Sequence, residues 1–170
     1  FDTLLIINPN NPTAYTYKKT FLKKLLNVIE SEGKQLIIDE AFLDTQPEQS
    51  MLSHSNNEHL VILRSLGKFF GLAGIRCGAL FSHTPLLNSA RQLLGPWQVA
   101  TPSRWVATQA LNDTKWQKEA TLKLKESGCR LKKLLQHHLS PRDITSLVRS
   151  DYFCSILFSN IEEQQSIYNH

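Results

Sequence analysis

Three short apolar runs each stop abruptly in a cluster of polar or turn-forming residues, and this pattern constrains the fold more than any other feature of the chain. Leu4-Leu5-Ile6-Ile7 runs into Asn8-Pro9-Asn10-Asn11-Pro12-Thr13. Gln35-Leu36-Ile37-Ile38 runs into Asp39-Glu40-Ala41-Phe42, and Leu60-Val61-Ile62-Leu63 into Arg64-Ser65. Continuous apolar runs of this length suit strands buried on both faces, as in a parallel sheet. Between the first two lies an amphipathic stretch, Tyr17 to Glu32. Phe21, Leu22, Leu25, Leu26, Val28 and Ile29 give its apolar stripe, lysines its wet face and Gly33 its stop. Strand, helix and strand form a βαβ unit with parallel strands. Open α/β sheets bind their ligands beyond the carboxyl ends of the strands, so the polar clusters are where a site belongs.

The rest of the chain extends this α/β pattern. Thr45 to Asn57 is polar and reads as a surface excursion with one short helix. Arg76 to Ser82 reads as a fourth strand. Helices follow from Thr84 to Leu94 and from Thr101 to Leu111, broken at Gly95-Pro96. Asn112-Asp113 is a candidate cap for the longest periodic segment, Lys115 to Leu139. Trp116, Ala120, Leu122, Leu124, Leu131, Leu134 and Leu135 recur there at helical spacing, and Pro141 marks its end. Ile144 to Val148 and Tyr152 to Phe158 read as strands, and Asn160 as a cap for a last helix from Ile161 to His170. The expected division is residues 1–112 as part of a large α/β domain. Residues 113–170 form a long connecting helix and the start of a smaller α+β domain. Phe1 is not a start methionine, the first strand has nothing before it to pair with, and the last helix is unfinished. A fragment of a longer protein is expected, with an exposed sheet edge.

Charge and cysteine content narrow the function. Nineteen basic and fifteen acidic residues among 170 give +4, and the lysines are spread along helix faces. No basic groove interleaved with aromatics accompanies them, so nucleic acid is not expected as a partner. No run approaches a membrane span and no signal-peptide pattern is present, which points away from a membrane partner. Cys77, Cys129 and Cys154 are odd in number and widely spaced. They read as reduced thiols filling the core of a cytoplasmic protein.

The chemistry concentrates in Arg64 to Gly78. Lys68 sits among Gly67, Phe69 and Phe70, and burial there would disfavour the ammonium form and leave the neutral amine that Schiff-base chemistry needs. Ser65 and Arg76 supply a hydroxyl and a planar cationic fork suited to a phosphate group.

Ser65-x-x-Lys68 followed by Gly71-Leu72-Ala73-Gly74-x-Arg76-x-Gly78 resembles the cofactor-lysine motif of fold type I pyridoxal-phosphate enzymes. The branch it resembles holds histidinol-phosphate aminotransferases and threonine-phosphate decarboxylases. Asn8-Pro9-Asn10-Asn11-Pro12-Thr13 resembles a second family motif, and Asp39-Glu40-Ala41-Phe42 a third. The resemblance implies pyridoxal 5'-phosphate as cofactor. It implies that Lys68 holds the cofactor covalently and moves the proton. Ser65 and Arg76 would bind its phosphate, Asn11 its phenolic oxygen, and Asp39 the pyridine nitrogen, keeping the ring an electron sink. By themselves Asn11 also fits a structural turn and Asp39 a strand-end cap. Glu40 reads as structural. Ala14 stands where the family usually has Gly, which puts the positive φ expected at that position in doubt.

The subfamily is read from further residues. Aminotransferases of this group usually carry Tyr at the place of Phe42, where Phe keeps the packing and loses the hydroxyl. This, with Leu94-Gly95-Pro96-Trp97-x-Val99 and Ala110-Leu111-x-Asp113-x-x-Trp116, is similar to the cobalamin-biosynthesis members. Pro96-Trp97 either lines the substrate pocket or staples two helices. The implied activity is decarboxylation of L-threonine O-3-phosphate, an amino-acid phosphate, by a homodimer. The alternatives are an aminotransferase of the histidinol-phosphate type and a truncated remnant without activity. The resemblance covers only the middle and later part of a family member. The loop that completes the phosphate cup, the aromatic that stacks on the ring and the arginine that grips the substrate carboxylate would lie outside this chain.

Overall fold

The computed structural model describes residues 1–139 and 144–168. Its centre is a four-stranded sheet of β1 (Thr3–Ile7), β2 (Gln35–Asp39), β3 (Leu60–Ser65) and β4 (Gly78–Phe81), in that order. β1, β2 and β3 are parallel and β4 is antiparallel to β3. The reason lies in the connections. Parallel neighbours need a long crossover, which α1 (Lys19–Ser31) supplies between β1 and β2. The link from β3 to β4 holds one 3₁₀ turn, Ala73–Ile75, and returns the chain beside β3.

Register decides what is buried. Leu4, Leu36 and Leu60 align across the sheet, as do Ile6, Ile38, Ile62 and Phe81. These residues share one face, because side chains alternate along a strand. Leu22, Leu26 and Ile29 of α1, with Met51, seal that face into the main core. Helix α1 stops as expected at Gly33. Its positive φ lets Gly33 N–H donate to Glu30 O and Lys34 N–H to Ile29 O, a Schellman closure. The opposite face is only partly covered, which corrects the expectation of strands buried on both sides. Leu5 there is 55% exposed, while Val61 is buried.

The segment after β2 also departs from expectation. Thr45, Ser50 and Met51 are buried, although the polar composition of Thr45 to Asn57 reads as surface. Two 3₁₀ turns, Pro47–Gln49 and Leu52–His54, fold the segment inward. Its polar groups tolerate burial because they are partnered. Ser50 Oγ donates to Glu40 Oε2 at 2.6 Å and Met51 N to Glu40 Oε1 at 2.8 Å.

Helices α2 (Thr84–Leu94), α3 (Thr101–Asn112) and α4 (Thr114–His138) follow, then a β5 (Ile144–Arg149) and β6 (Cys154–Phe158) hairpin and α5 (Ile161–Tyr168). Asp113 caps α4 as expected, accepting from Trp116 N at 3.0 Å. The helical periodicity of α4 is real, yet Leu122, Leu131 and Leu134 remain exposed. Trp97 is 85% exposed, so it does not staple α2 to α3. Of the three cysteines, Cys129 is exposed and Cys77 and Cys154 are half-buried, so none is a full core filler. Pro141 and His170 lie outside the described residues.

Candidate active site

The parallel register brings three strand ends level. Ile7, Asp39 and Leu63 are direct neighbours across β1, β2 and β3. Asn8 N–H donates to Asp39 O and Glu40 N–H to Leu63 O, both at 2.9 Å, so the loops leave the sheet in one place. Asn11 follows β1, Asp39 closes β2, and Ser65 closes β3 with Lys68 in the turn beyond.

A cavity of about 300 Å³ lies in that turn. Ser65, Gly67, Lys68, Ala73, Arg76 and Gly78 are among the residues that line it. Ser65, Lys68 and Arg76 are therefore brought together as the sequence implies. Asn11 and Asp39 stand at the same end of the sheet but do not line this cavity. Asn11 is exposed. Asp39 is half-buried and its Oδ1 accepts from Ala41 N at 2.9 Å, the capping geometry that the sequence left open.

Gly78 lets β4 approach β3 closely beside the cavity. A Cβ on Gly78 would stand 2.8 Å from Arg64 O. Gly67 N–H donates to Ser65 Oγ at 3.0 Å, which orients the hydroxyl. Arg76 takes a left-handed backbone (φ 50°), and its guanidinium donates to Ala73 O at 3.3 Å across the same turn. Ala14, in the loop after β1, also adopts a positive φ of 57°, so alanine keeps the conformation that the sequence put in doubt.

Lys68 differs from expectation. It is exposed, not walled in by its aromatic neighbours. Phe69 and Phe70 turn away to pack on Trp116 of α4, with ring centroids 5.4 and 5.8 Å from it. Lys68 Nζ instead lies over the ring of Phe42, 5.3 Å from its centroid, within the range of a cation–π contact.

A buried ionic network supports these loops, and the sequence reading did not assign it. Glu40 is fully buried and Arg64 NH1 donates to its Oε2 at 3.2 Å, while Arg64 NH2 donates to Asp44 Oδ1 at 2.6 Å. Burial pushes the Asp44 carboxyl above its ordinary range, and the adjacent Arg64 charge offsets part of that rise. The visible signal was two carboxylates and an arginine at adjacent strand ends. Nothing in their spacing showed that they meet.

The residue set fits pyridoxal phosphate. An amine, a hydroxyl and a guanidinium line one cavity, and a carboxylate ends the neighbouring strand.

Comparison with known proteins agrees. Residues 2–166 match the family model described as aminotransferase class I and II. The chain belongs to this family. It is 42% identical over 137 residues to threonine-phosphate decarboxylase of Pseudomonas aeruginosa, covering 81% of this chain and 41% of that protein. It is 38% identical over 109 residues to histidinol-phosphate aminotransferase of Blochmanniella pennsylvanica, covering 64% and 30%. The histidinol-phosphate aminotransferase of Clostridium acetobutylicum superposes with a TM-score of 0.81 at 26% identity, covering 99% of this chain and 52% of that one. The Sinorhizobium meliloti histidinol-phosphate aminotransferase, solved with pyridoxal 5'-phosphate, superposes with a TM-score of 0.72 at 21% identity, covering 91% and 42%. The α/β architecture is thus that of the fold type I aminotransferases, and the family's cofactor is pyridoxal 5'-phosphate. The chain spans less than half the length of the curated relatives named here.

Proposed function

We propose that the chain carries the lysine-bearing half of a pyridoxal-phosphate carboxy-lyase that converts L-threonine O-3-phosphate to aminopropanol phosphate and CO2. The observation that carries this reading is the cavity shared by Lys68, Ser65 and Arg76, within a sequence 42% identical to a threonine-phosphate decarboxylase. Phe42, where an aminotransferase hydroxyl is expected, favours the lyase.

When bound, the cofactor accepts the electron pair released as the Cα–carboxylate bond breaks. Arg76 and Ser65 would hold its phosphate by charge-assisted hydrogen bonds. Asp39 would pair with the pyridine nitrogen and keep it protonated, and Asn11 would donate to the phenolic oxygen. Lys68 Nζ would be the covalent attachment point and the group that delivers a proton to Cα.

We read residues 1–112 as the large domain's share and 113–170 as the connecting helix and the opening of the small domain. Exposed Leu93, Leu94, Trp97 and Trp105 around the α2–α3 turn support a homodimer, since apolar groups on this scale mark interfaces. No helix among the described residues is long and apolar enough to cross a membrane, and we place the enzyme in the cytoplasm, within cobalamin biosynthesis.

The test is absorbance after mixing with pyridoxal 5'-phosphate, followed by assay of CO2 release. A borohydride-reducible visible band, absent in Lys68→Ala, establishes the lysine. CO2 release from threonine phosphate without a keto acid supports the lyase. Dependence on 2-oxoglutarate overturns it in favour of a histidinol-phosphate type aminotransferase. A folded protein without the band is the inactive remnant.

A further inference from the structure

We propose that Phe42 is a positioning residue for Lys68, and that the turn between β5 and β6 holds Phe42 in place for that task. This rests on Lys68 being the cofactor lysine.

Lys68 is on an exposed turn, where a long side chain would sample many rotamers. Its near aromatic neighbours in sequence do not restrain it, because both pack on Trp116. The ring that meets Lys68 Nζ belongs to Phe42, three residues beyond Asp39. An aromatic face attracts an ammonium group through its quadrupole, so Phe42 selects one position of the amine. Glu40 and Asp44, which flank Phe42, are both clamped to Arg64 of β3, the strand that leads to Lys68.

A second restraint comes from more than 100 residues away. Phe42 meets Tyr152 at 5.4 Å and Phe153 at 5.5 Å, both edge-on, at interplanar angles of 70° and 79°. Such pairs prefer a defined geometry, unlike aliphatic contacts. The turn that carries the two rings is itself fixed. Thr45 Oγ1 donates to Asp151 Oδ2 at 2.7 Å, and Gln46 Nε2 reaches the same oxygen at 3.4 Å. Arg149 pairs with Asp151 Oδ1 at 3.3 Å. Ser150 Oγ accepts from Tyr152 N at 3.2 Å and Phe153 N at 3.1 Å. Gly128 of α4 admits the turn: a Cβ there would stand 3.3 Å from both Ser150 O and Asp151 O. The hairpin therefore sets the ring, and the ring sets the amine.

The experiment is trace acetylation of the cofactor-free protein with acetic anhydride, read by peptide mass spectrometry. Exposed Lys23 and Lys24 of α1 serve as internal standards. Phe42→Leu is expected to acetylate at Lys68 about two- to five-fold faster, the loss of one exposed cation–π contact, with Lys23 and Lys24 unchanged. Phe42→Tyr keeps the aromatic face and is expected to restore the parent rate. Tyr152→Leu with Phe153→Leu retains Phe42 and is expected to shift Lys68 in the same direction by a smaller factor. It also serves if Phe42→Leu does not fold. A Lys68 rate unchanged in folded Phe42→Leu, or not restored by Phe42→Tyr, overturns the role of the ring. A rate unchanged in the hairpin variant overturns the role of the turn. The labelling needs no cofactor. Failure of the parent to capture pyridoxal phosphate therefore counts against the functional reading alone, and a changed labelling pattern still counts for this one.

Discussion

Replacing Glu40 by Gln tests whether the buried network holds the strand ends. Glu40 has no exposed surface, and its two oxygens are used differently. Oε1 accepts from Met51 N at 2.8 Å, while Oε2 accepts from Ser50 Oγ at 2.6 Å and from Arg64 NH1 at 3.2 Å. A glutamine oxygen can keep the Met51 bond. The amide nitrogen then stands at the Oε2 position. Ser50 can turn its hydroxyl to accept from it, but Arg64 is left donor against donor. A hydrogen bond to a charged group contributes about 1.5–3 kcal/mol, and removing one partner of a buried ion pair costs about 3–5 kcal/mol. Arg64 keeps Asp44 and some solvent contact, with 17% of its side chain exposed. The loss therefore belongs near the lower figures, about 2–3 kcal/mol.

Equilibrium urea unfolding, followed by tryptophan fluorescence and far-ultraviolet circular dichroism, measures this loss. A cycle with Arg64→Met separates the pair from its surroundings, and a coupling of about 1–3 kcal/mol is expected for residues in direct contact. A Glu40→Gln loss below about 1 kcal/mol, or a coupling near zero, would refute the view that Glu40 and Arg64 tie β2's loop to β3.

Other outcomes follow from single contacts. Gly78→Ala places a methyl 2.8 Å from Arg64 O, so β4 must move away from β3. A loss of about 1–3 kcal/mol and weakened pyridoxal-phosphate uptake are expected, and an unchanged melting temperature would count against the close approach. Asp44 has its carboxyl raised above the ordinary 3.8 by burial. It therefore contributes stability that is full below 3.8 and is lost as pH rises through its higher folded value. The stability of the parent minus that of Asp44→Asn should fall with rising pH across that window, and the opposite slope in urea midpoints would contradict it. Tyr152 Oη is buried beside the Thr45 side chain, so Tyr152→Phe should change stability by no more than about 1 kcal/mol. Burial, then Asp44 and Asp151, raise the phenol above its ordinary 10.0. The parent should lose stability as pH rises from there toward the folded value, and Tyr152→Phe should lack this loss in alkaline melting curves.

The parallel part of the fold was legible because local patterns and tertiary burial agree there. An apolar run with turn formers at its end specifies a strand wherever it lies, and β1, β2 and β3 begin and end close to where the sequence places them. Two features resisted for physical reasons. Composition reports how polar a segment is, not whether its polar groups find partners, so Thr45 to Asn57 read as surface while Glu40 was drawing Ser50 and Met51 inward. Periodicity reports a helix's stripe, not what covers it, so α4 was found while the exposure of Leu122 and Leu134 was not.

The site shows the same limit at closer range. Ser65, Lys68 and Arg76 lie within a dozen residues, and a tight turn brings them together whatever the rest of the chain does. The surroundings of Lys68 are another matter. Sequence proximity assigned Phe69 and Phe70 to it, but a turn that presents Lys68 to the cavity sends its neighbours elsewhere, here onto Trp116. The ring that does meet Lys68 lies 26 positions earlier, and the rings that steady it lie on a hairpin beyond α4. A reactive amine needs both access and a fixed position. An exposed lysine held by one aromatic face meets both demands, whereas a lysine buried among its own neighbours would meet only the second.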